Sequence, residues 1–96
     1  IYPQGRYKGH SFYAWNTANP AARNYLQATL NFLANRYSTT NGKYGRIANW
    51  IVGNEVNNYW TYNYAGSWNL NQYAKIYADQ FRLAYNTLTS VYSNAM

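Results

Sequence analysis

The sequence contains no cysteine and only two carboxylate side chains, Glu55 and Asp79. The lack of cysteine excludes disulfide bonds and thiol chemistry. It does not determine the cellular compartment, and a secreted or periplasmic location is compatible with it. No apolar run approaches the roughly 20 residues of a membrane span, so we expect no membrane partner. No metal-ligating cluster and no glycine-rich phosphate loop is present either, so we expect no metal and no cofactor.

Positive charge, in contrast, is in excess. Eight Lys and Arg residues against two acids give a formal net charge of +6, which could attract nucleic acid. The cations are scattered singly along the chain, whereas tracking a phosphate backbone requires a concentrated run or stripe. We therefore expect no nucleic-acid partner.

Two stretches have the periodicity of amphipathic helices. The first, Pro20 to Tyr37, follows a typical N-cap at Asn19. The second follows Asn69 or Asn71 as its cap and ends near Tyr92. Apolar residues recur every three or four positions, at Ala22, Leu26, Leu30, Leu33 and Tyr37 in the first and at Tyr73, Tyr77, Phe81, Ala84, Leu88 and Val91 in the second. Each helix should therefore bury one face.

Two shorter stretches predict β-strands. Ser11 to Trp15 is rich in aromatic residues, and Ile47 to Val52 is an almost continuous apolar run, typical of a parallel strand covered on both faces. The order strand, helix, strand, helix predicts an α/β fold of two consecutive βα units with adjacent parallel strands. Two such strands leave much apolar surface uncovered. We therefore expect residues 1–96 to be a partial domain that associates with the remainder of its fold or with other copies of the chain.

The only glutamate, Glu55, follows Asn54 directly after the second predicted strand. Catalytic groups in α/β folds collect at the carboxyl ends of parallel strands. Glu55 could there donate a proton to a leaving group, or it could be an ordinary loop glutamate paired with a cation. Position alone leaves both interpretations open.

The stretch WIVGNEVN, residues 50–57, resembles the end of the fourth strand in the clan of retaining glycoside hydrolases built on (β/α)8 TIM barrels. FYAWNT, NYLQATLNFLANRYS and NQYAKIYADQFRLAY look like the third βα unit and the helix after strand four in an uncharacterised bacterial glycosidase-like family. The resemblance covers nearly all of the chain. It implies a fragment of a barrel domain, with Glu55 as the general acid/base and Asn54 as the partner of the sugar hydroxyl at carbon two.

Adjacent residues of a regular strand point to opposite faces, so Asn54 and Glu55 can reach one substrate only if the backbone is distorted. Gly53 makes a bend plausible, because glycine adopts dihedral angles that other residues avoid.

The retaining mechanism also needs a second carboxylate, roughly 5 Å from the first. Asp79 lies within the second predicted helix, where we expect it to pair with Arg82 three residues further on. The resemblance places the nucleophile on a later strand, so residues 1–96 alone are expected to be inactive.

Four further residues are candidates for substrate binding. Trp15 and Asn16 end the first predicted strand and would either face the same opening as Glu55 or serve in packing and capping. His10 could donate to a sugar hydroxyl, although a single histidine is more often packed or at the surface. Trp60 could stack on a pyranose ring or pack beneath its own loop.

The sequence thus favours a fragment of a glycoside hydrolase with a carbohydrate substrate. The alternative is a non-catalytic module that binds carbohydrate through the loop from Glu55 to Asn69, which is rich in tyrosine and tryptophan, or an interaction module with a basic surface. The two helical stripes favour the first interpretation, because carbohydrate-binding modules are usually β-sandwiches.

Overall fold

Three α-helices follow one another along the chain in the computed structural model, which describes residues 1–5 and 9–96. They are α1 at Pro20–Tyr37, α2 at Tyr59–Tyr62 and α3 at Leu70–Val91. Single 3₁₀ turns lie at Pro3–Gly5 and Val56–Asn58. The long helices α1 and α3 pack against each other and form the body of the fold. No helix in the described residues is both long and apolar enough to cross a membrane.

The first predicted helix is confirmed over the same residues. The Asn19 side chain accepts a hydrogen bond from the Ala22 amide at 2.9 Å, and Pro20 occupies the first turn, where its missing N–H has no helical partner to lose. The face turned inward buries Leu30 and Ala34. Local capping and periodicity are therefore sufficient to define α1.

The second predicted helix is also confirmed, and the structure selects Asn69 as its cap. The Asn69 side chain accepts from the Gln72 amide at 2.9 Å, and the Gln72 side chain accepts from the Asn69 amide at 3.1 Å. This reciprocal capping box satisfies two backbone donors at once. The buried residues of α3 are Tyr73, Gln80, Leu83, Ala84, Thr87 and Leu88. Phe81, part of the predicted apolar stripe, is 47% exposed.

The predicted α/β fold of two βα units is wrong. The part of the chain that the structure describes is mostly helical and contains no sheet. Ser11 to Trp15 makes one isolated parallel bridge, between Tyr13 and Tyr64. There the Ala14 amide donates to the Tyr64 carbonyl at 2.9 Å, and the Tyr64 amide donates to the Phe12 carbonyl at 3.2 Å. The first predicted strand thus pairs with the loop before α3, and the implied strands of a barrel are not formed.

The second predicted strand, Ile47 to Val52, is held by the end of α1 and by the segment that follows α3. Its first amide donates to the carbonyl of Tyr37 at 2.6 Å, and the amide of Trp50 donates to the carbonyl of Met96. Ile51 is 91% exposed, so the run is not covered on both faces. Apolar continuity indicates an extended segment but does not reveal whether a neighbouring strand exists.

An ion pair joins the two long helices. Asp79 accepts a hydrogen bond from the Arg23 guanidinium at 2.8 Å, with the side chains 37% exposed for Arg23 and 43% for Asp79. The predicted pair between Asp79 and Arg82 within one helix is therefore wrong. Packing of α3 on α1 brings a cation from the other helix within reach of the carboxylate.

Candidate functional site

The backbone bends sharply where the apolar run meets Asn54 and Glu55. Gly53 has a φ of +83°, and Glu55 has φ +43° and ψ +51°, in the left-handed region. Glu55 is the only non-glycine residue with a positive φ among those described. Residues held in such sparsely populated conformations cluster at functional sites. The bend that Gly53 makes plausible in the sequence is present in the structure, and both Asn54 and Glu55 are exposed.

Packing against α3 holds this bend in place. The Tyr77 hydroxyl donates to the Val52 carbonyl at 2.8 Å, which fastens the end of the extended run to the helix. A Cβ added to Gly53 would lie 2.8 Å from Cγ1 of Val56 and 3.4 Å from the Tyr77 ring. Position 53 therefore requires glycine for two reasons: the positive φ, which other residues avoid, and the lack of space for a Cβ atom.

His10 and Trp60, two of the predicted sugar contacts, lie together with Tyr64 in what we call the His10 cluster. The His10 ring stacks on the buried Tyr64 ring with centroids 3.8 Å apart and planes 10° apart. Trp60 meets both rings edge-on, at 5.1 Å from His10 and 4.9 Å from Tyr64. A cavity of about 260 Å³ adjoins them and is lined by Gly9, His10, Ser11, Phe12, Trp60 and Thr61. Trp60 remains 50% exposed, so part of its ring faces solvent.

Trp15 and Asn16 take part in the scaffold. The Trp15 carbonyl accepts from the buried Gln80 side chain at 2.9 Å, while its ring is 40% exposed. The Asn16 side chain donates to the Ile1 carbonyl at 3.1 Å and accepts from the Asn19 amide at 3.2 Å. Asn16 therefore ties the start of the chain to the cap of α1, which agrees with the capping alternative.

The bend at Asn54 and Glu55 and the His10 cluster make no direct contact in the part of the chain that the structure describes. No hydrogen bond or ring contact among the described residues joins Asn54 or Glu55 to the His10 cluster. Because Asp79 is engaged by Arg23, Glu55 is the one carboxylate side chain outside an ion pair in the described part of the chain. No three metal-ligating side chains lie together among these residues.

Tyr64 is the member of the cluster that the sequence did not single out. It lies between two predicted helices in a loop crowded with aromatic residues, and nothing local distinguishes it from Tyr62 two positions earlier. Its importance comes from the bridge to Tyr13, which brings the segment carrying His10 alongside the loop carrying Trp60.

The chain belongs to the family described as "Family of unknown function (DUF5722)", which matches residues 1–96. No curated protein and no solved structure matches the chain significantly. The chemistry of the exposed groups is therefore the basis for assigning a function.

Proposed function

We propose that the chain supplies the general acid/base of a retaining glycoside hydrolase, with Glu55 as the proton donor and Asn54 as the partner of a sugar hydroxyl. The bend from Gly53 to Glu55 carries this proposal. A regular strand would turn the two neighbouring side chains to opposite faces, whereas the left-handed backbone on either side of Asn54 leaves both exposed. An acid and an amide that contact one sugar ring must both be accessible from solvent.

In this mechanism the Glu55 carboxyl group donates its proton to the glycosidic oxygen while a second carboxylate attacks the anomeric carbon. The bond to the leaving group breaks, and a covalent glycosyl-enzyme forms. The Glu55 carboxylate then takes a proton from water, whose oxygen displaces the nucleophile and releases the sugar. Asp79 is occupied by Arg23 on α1, so the proposal requires a nucleophile from outside residues 1–96.

Carbohydrate binding without catalysis is the second candidate, and the His10 cluster favours it. The edge contacts of Trp60 with His10 and Tyr64 hold an indole that is 50% exposed beside a cavity. An aromatic plane fixed in this way suits the C–H face of a pyranose ring. This role does not depend on Glu55.

The test is Glu55→Gln in the full-length protein, assayed on natural glycosides and on aryl glycosides with activated leaving groups. Natural glycosides should be cleaved about a hundredfold or more slowly, because their poor leaving groups need a positioned acid. Activated substrates should show a burst and then slow turnover that azide accelerates, because the nucleophile is intact. Asp79→Asn, the matching change at the other acid, should leave the dependence on the leaving group as in the wild type.

Near wild-type rates on both substrates in Glu55→Gln would contradict the acid/base assignment. A uniform loss without azide rescue would contradict it too and would indicate a structural role for Glu55. If the wild-type protein binds glycans but cleaves none, and Trp60→Ala abolishes that binding, the non-catalytic alternative is correct.

A further inference from the structure

Cations that are separate in the sequence gather around tyrosine rings beyond the end of α1. The Arg36 guanidinium carbon lies 3.9 Å from the centroid of the Tyr44 ring, and the Lys43 ammonium nitrogen lies 5.2 Å from the same centroid. Arg46 lies 5.6 Å from the centroid of Tyr92 and donates to the Tyr92 hydroxyl at 2.7 Å. We call Arg36, Lys43 and Arg46, with these two tyrosines, the basic patch.

The fold brings the patch together by returning the chain to α1. After the turn through residues 38–46, the Ile47 amide donates to the Tyr37 carbonyl at 2.6 Å. Arg46 is thereby placed next to the helix end that carries Arg36, and Tyr92 caps the end of α3 beside it. Lys43 and Arg46 are exposed, and Tyr44 is 45% exposed.

No carboxylate side chain of the described residues neutralises the basic patch. The chain has only two acids, and the one ion pair in the described part uses Asp79 with Arg23. The partial negative charge at the ends of α1 and α3 offsets the three cations only in part. The patch therefore presents net positive charge, with planar guanidinium groups, to solvent.

We propose that the basic patch binds carboxylate groups of an anionic polysaccharide. The choice of a glycan as the polymer rests on the proposed function. Guanidinium groups bind carboxylates through paired, charge-assisted hydrogen bonds. A nucleic acid fits less well, because single strands need aromatic faces open for base stacking and a longer basic groove. Here the cations Arg36 and Lys43 already lie against Tyr44.

The experiment measures binding of oligogalacturonate to the full-length protein by calorimetry at low and high salt, with a malto-oligosaccharide of equal length as the neutral comparison. The double variant Lys43→Gln/Arg46→Gln should weaken oligogalacturonate binding about tenfold or more and reduce its salt dependence. The control Lys75→Gln/Arg82→Gln removes two exposed cations elsewhere and should stay within about twofold of wild type, because screening limits distant charges.

Equal weakening in both double variants would overturn the inference, since overall charge would then explain binding. Equal affinity for the neutral oligosaccharide would overturn it as well. Tighter binding of single-stranded oligo(dT), lost in the patch variant, would show that the partner is nucleic acid. Glu55→Gln separates the two proposals. If this variant still binds oligogalacturonate but no longer hydrolyses glycosides, both proposals are supported. If the wild-type protein binds oligogalacturonate through the patch but hydrolyses no glycoside, the patch proposal is supported and the glycosidase proposal is overturned.

Discussion

The bend at Gly53 makes a quantitative prediction for Gly53→Ala. A residue with a Cβ at a φ of +83° costs about 1–2 kcal/mol relative to glycine. The new Cβ would lie 2.8 Å from Cγ1 of Val56, so the Val56 side chain must shift, at about 0.5–1.5 kcal/mol for a χ angle moved by roughly 30°. The less flexible unfolded chain returns about 0.4–1 kcal/mol. The free energy of unfolding should therefore fall by about 2 kcal/mol.

Gly45→Ala is a matched control for this substitution. Gly45 has a φ of +87°, almost that of Gly53, but an added Cβ would meet nothing within 4 Å. Gly45→Ala should therefore show the backbone effect alone, about 1 kcal/mol after the unfolded-state correction. Equilibrium unfolding in urea, followed by tryptophan fluorescence, measures both losses on one scale.

The double variant Gly53→Ala/Val56→Ala tests the cause directly. Removing Cγ1 of Val56 opens the space that the new methyl group needs, so the two substitutions should be less destabilising together than the sum of their separate effects, by about 1 kcal/mol. The reasoning is refuted if Gly53→Ala is no more destabilising than Gly45→Ala, or if the two changes are simply additive. The bend would then not depend on the space beside Gly53.

Two further substitutions probe the contacts of α3. Burial raises the pKa of the Tyr73 hydroxyl, because its effect outweighs that of the hydrogen bond that Asn63 donates to this oxygen. The hydroxyl therefore contributes its full stability below about pH 10, and this contribution is lost as the pH rises through the pKa of the folded state. Tyr73→Phe should lower the free energy of unfolding by about 1–3 kcal/mol at pH 7, because Asn63 loses its hydrogen-bond partner. The urea midpoints of the variant and the wild type should converge above about pH 10. A difference between the midpoints that does not change with pH would contradict this prediction. Asp79→Asn should cost about 0.5–1 kcal/mol in low salt and less in 1 M NaCl, because it breaks the partly exposed pair with Arg23. Arg82→Gln should leave the free energy of unfolding unchanged at both salt concentrations. A loss as large as that of Asp79→Asn would instead indicate an ion pair of Asp79 with Arg82 within α3.

Sequence alone determined the elements whose causes are local. Helix α1 at Pro20–Tyr37 depends on a cap at Asn19 and on apolar residues three or four positions apart, all within a few residues of each other. Helix α3 needed one structural detail, the reciprocal bonds of Asn69 and Gln72, to choose between two caps. For the bend, the sequence offered only Gly53, a residue whose dihedral angles allow one, and the structure decided that the bend forms there.

Only the tertiary structure decided which distant segments meet. Ser11 to Trp15 has the composition of a strand, yet its partner is Tyr64, fifty-one positions beyond Tyr13, and not the apolar run after α1. The same limitation hid the pairing of Asp79 with Arg23 and the gathering of cations in the basic patch. Such contacts depend on the loop closures and helix packing of the whole chain, so the composition of a segment predicts that it is extended or charged but not what lies beside it.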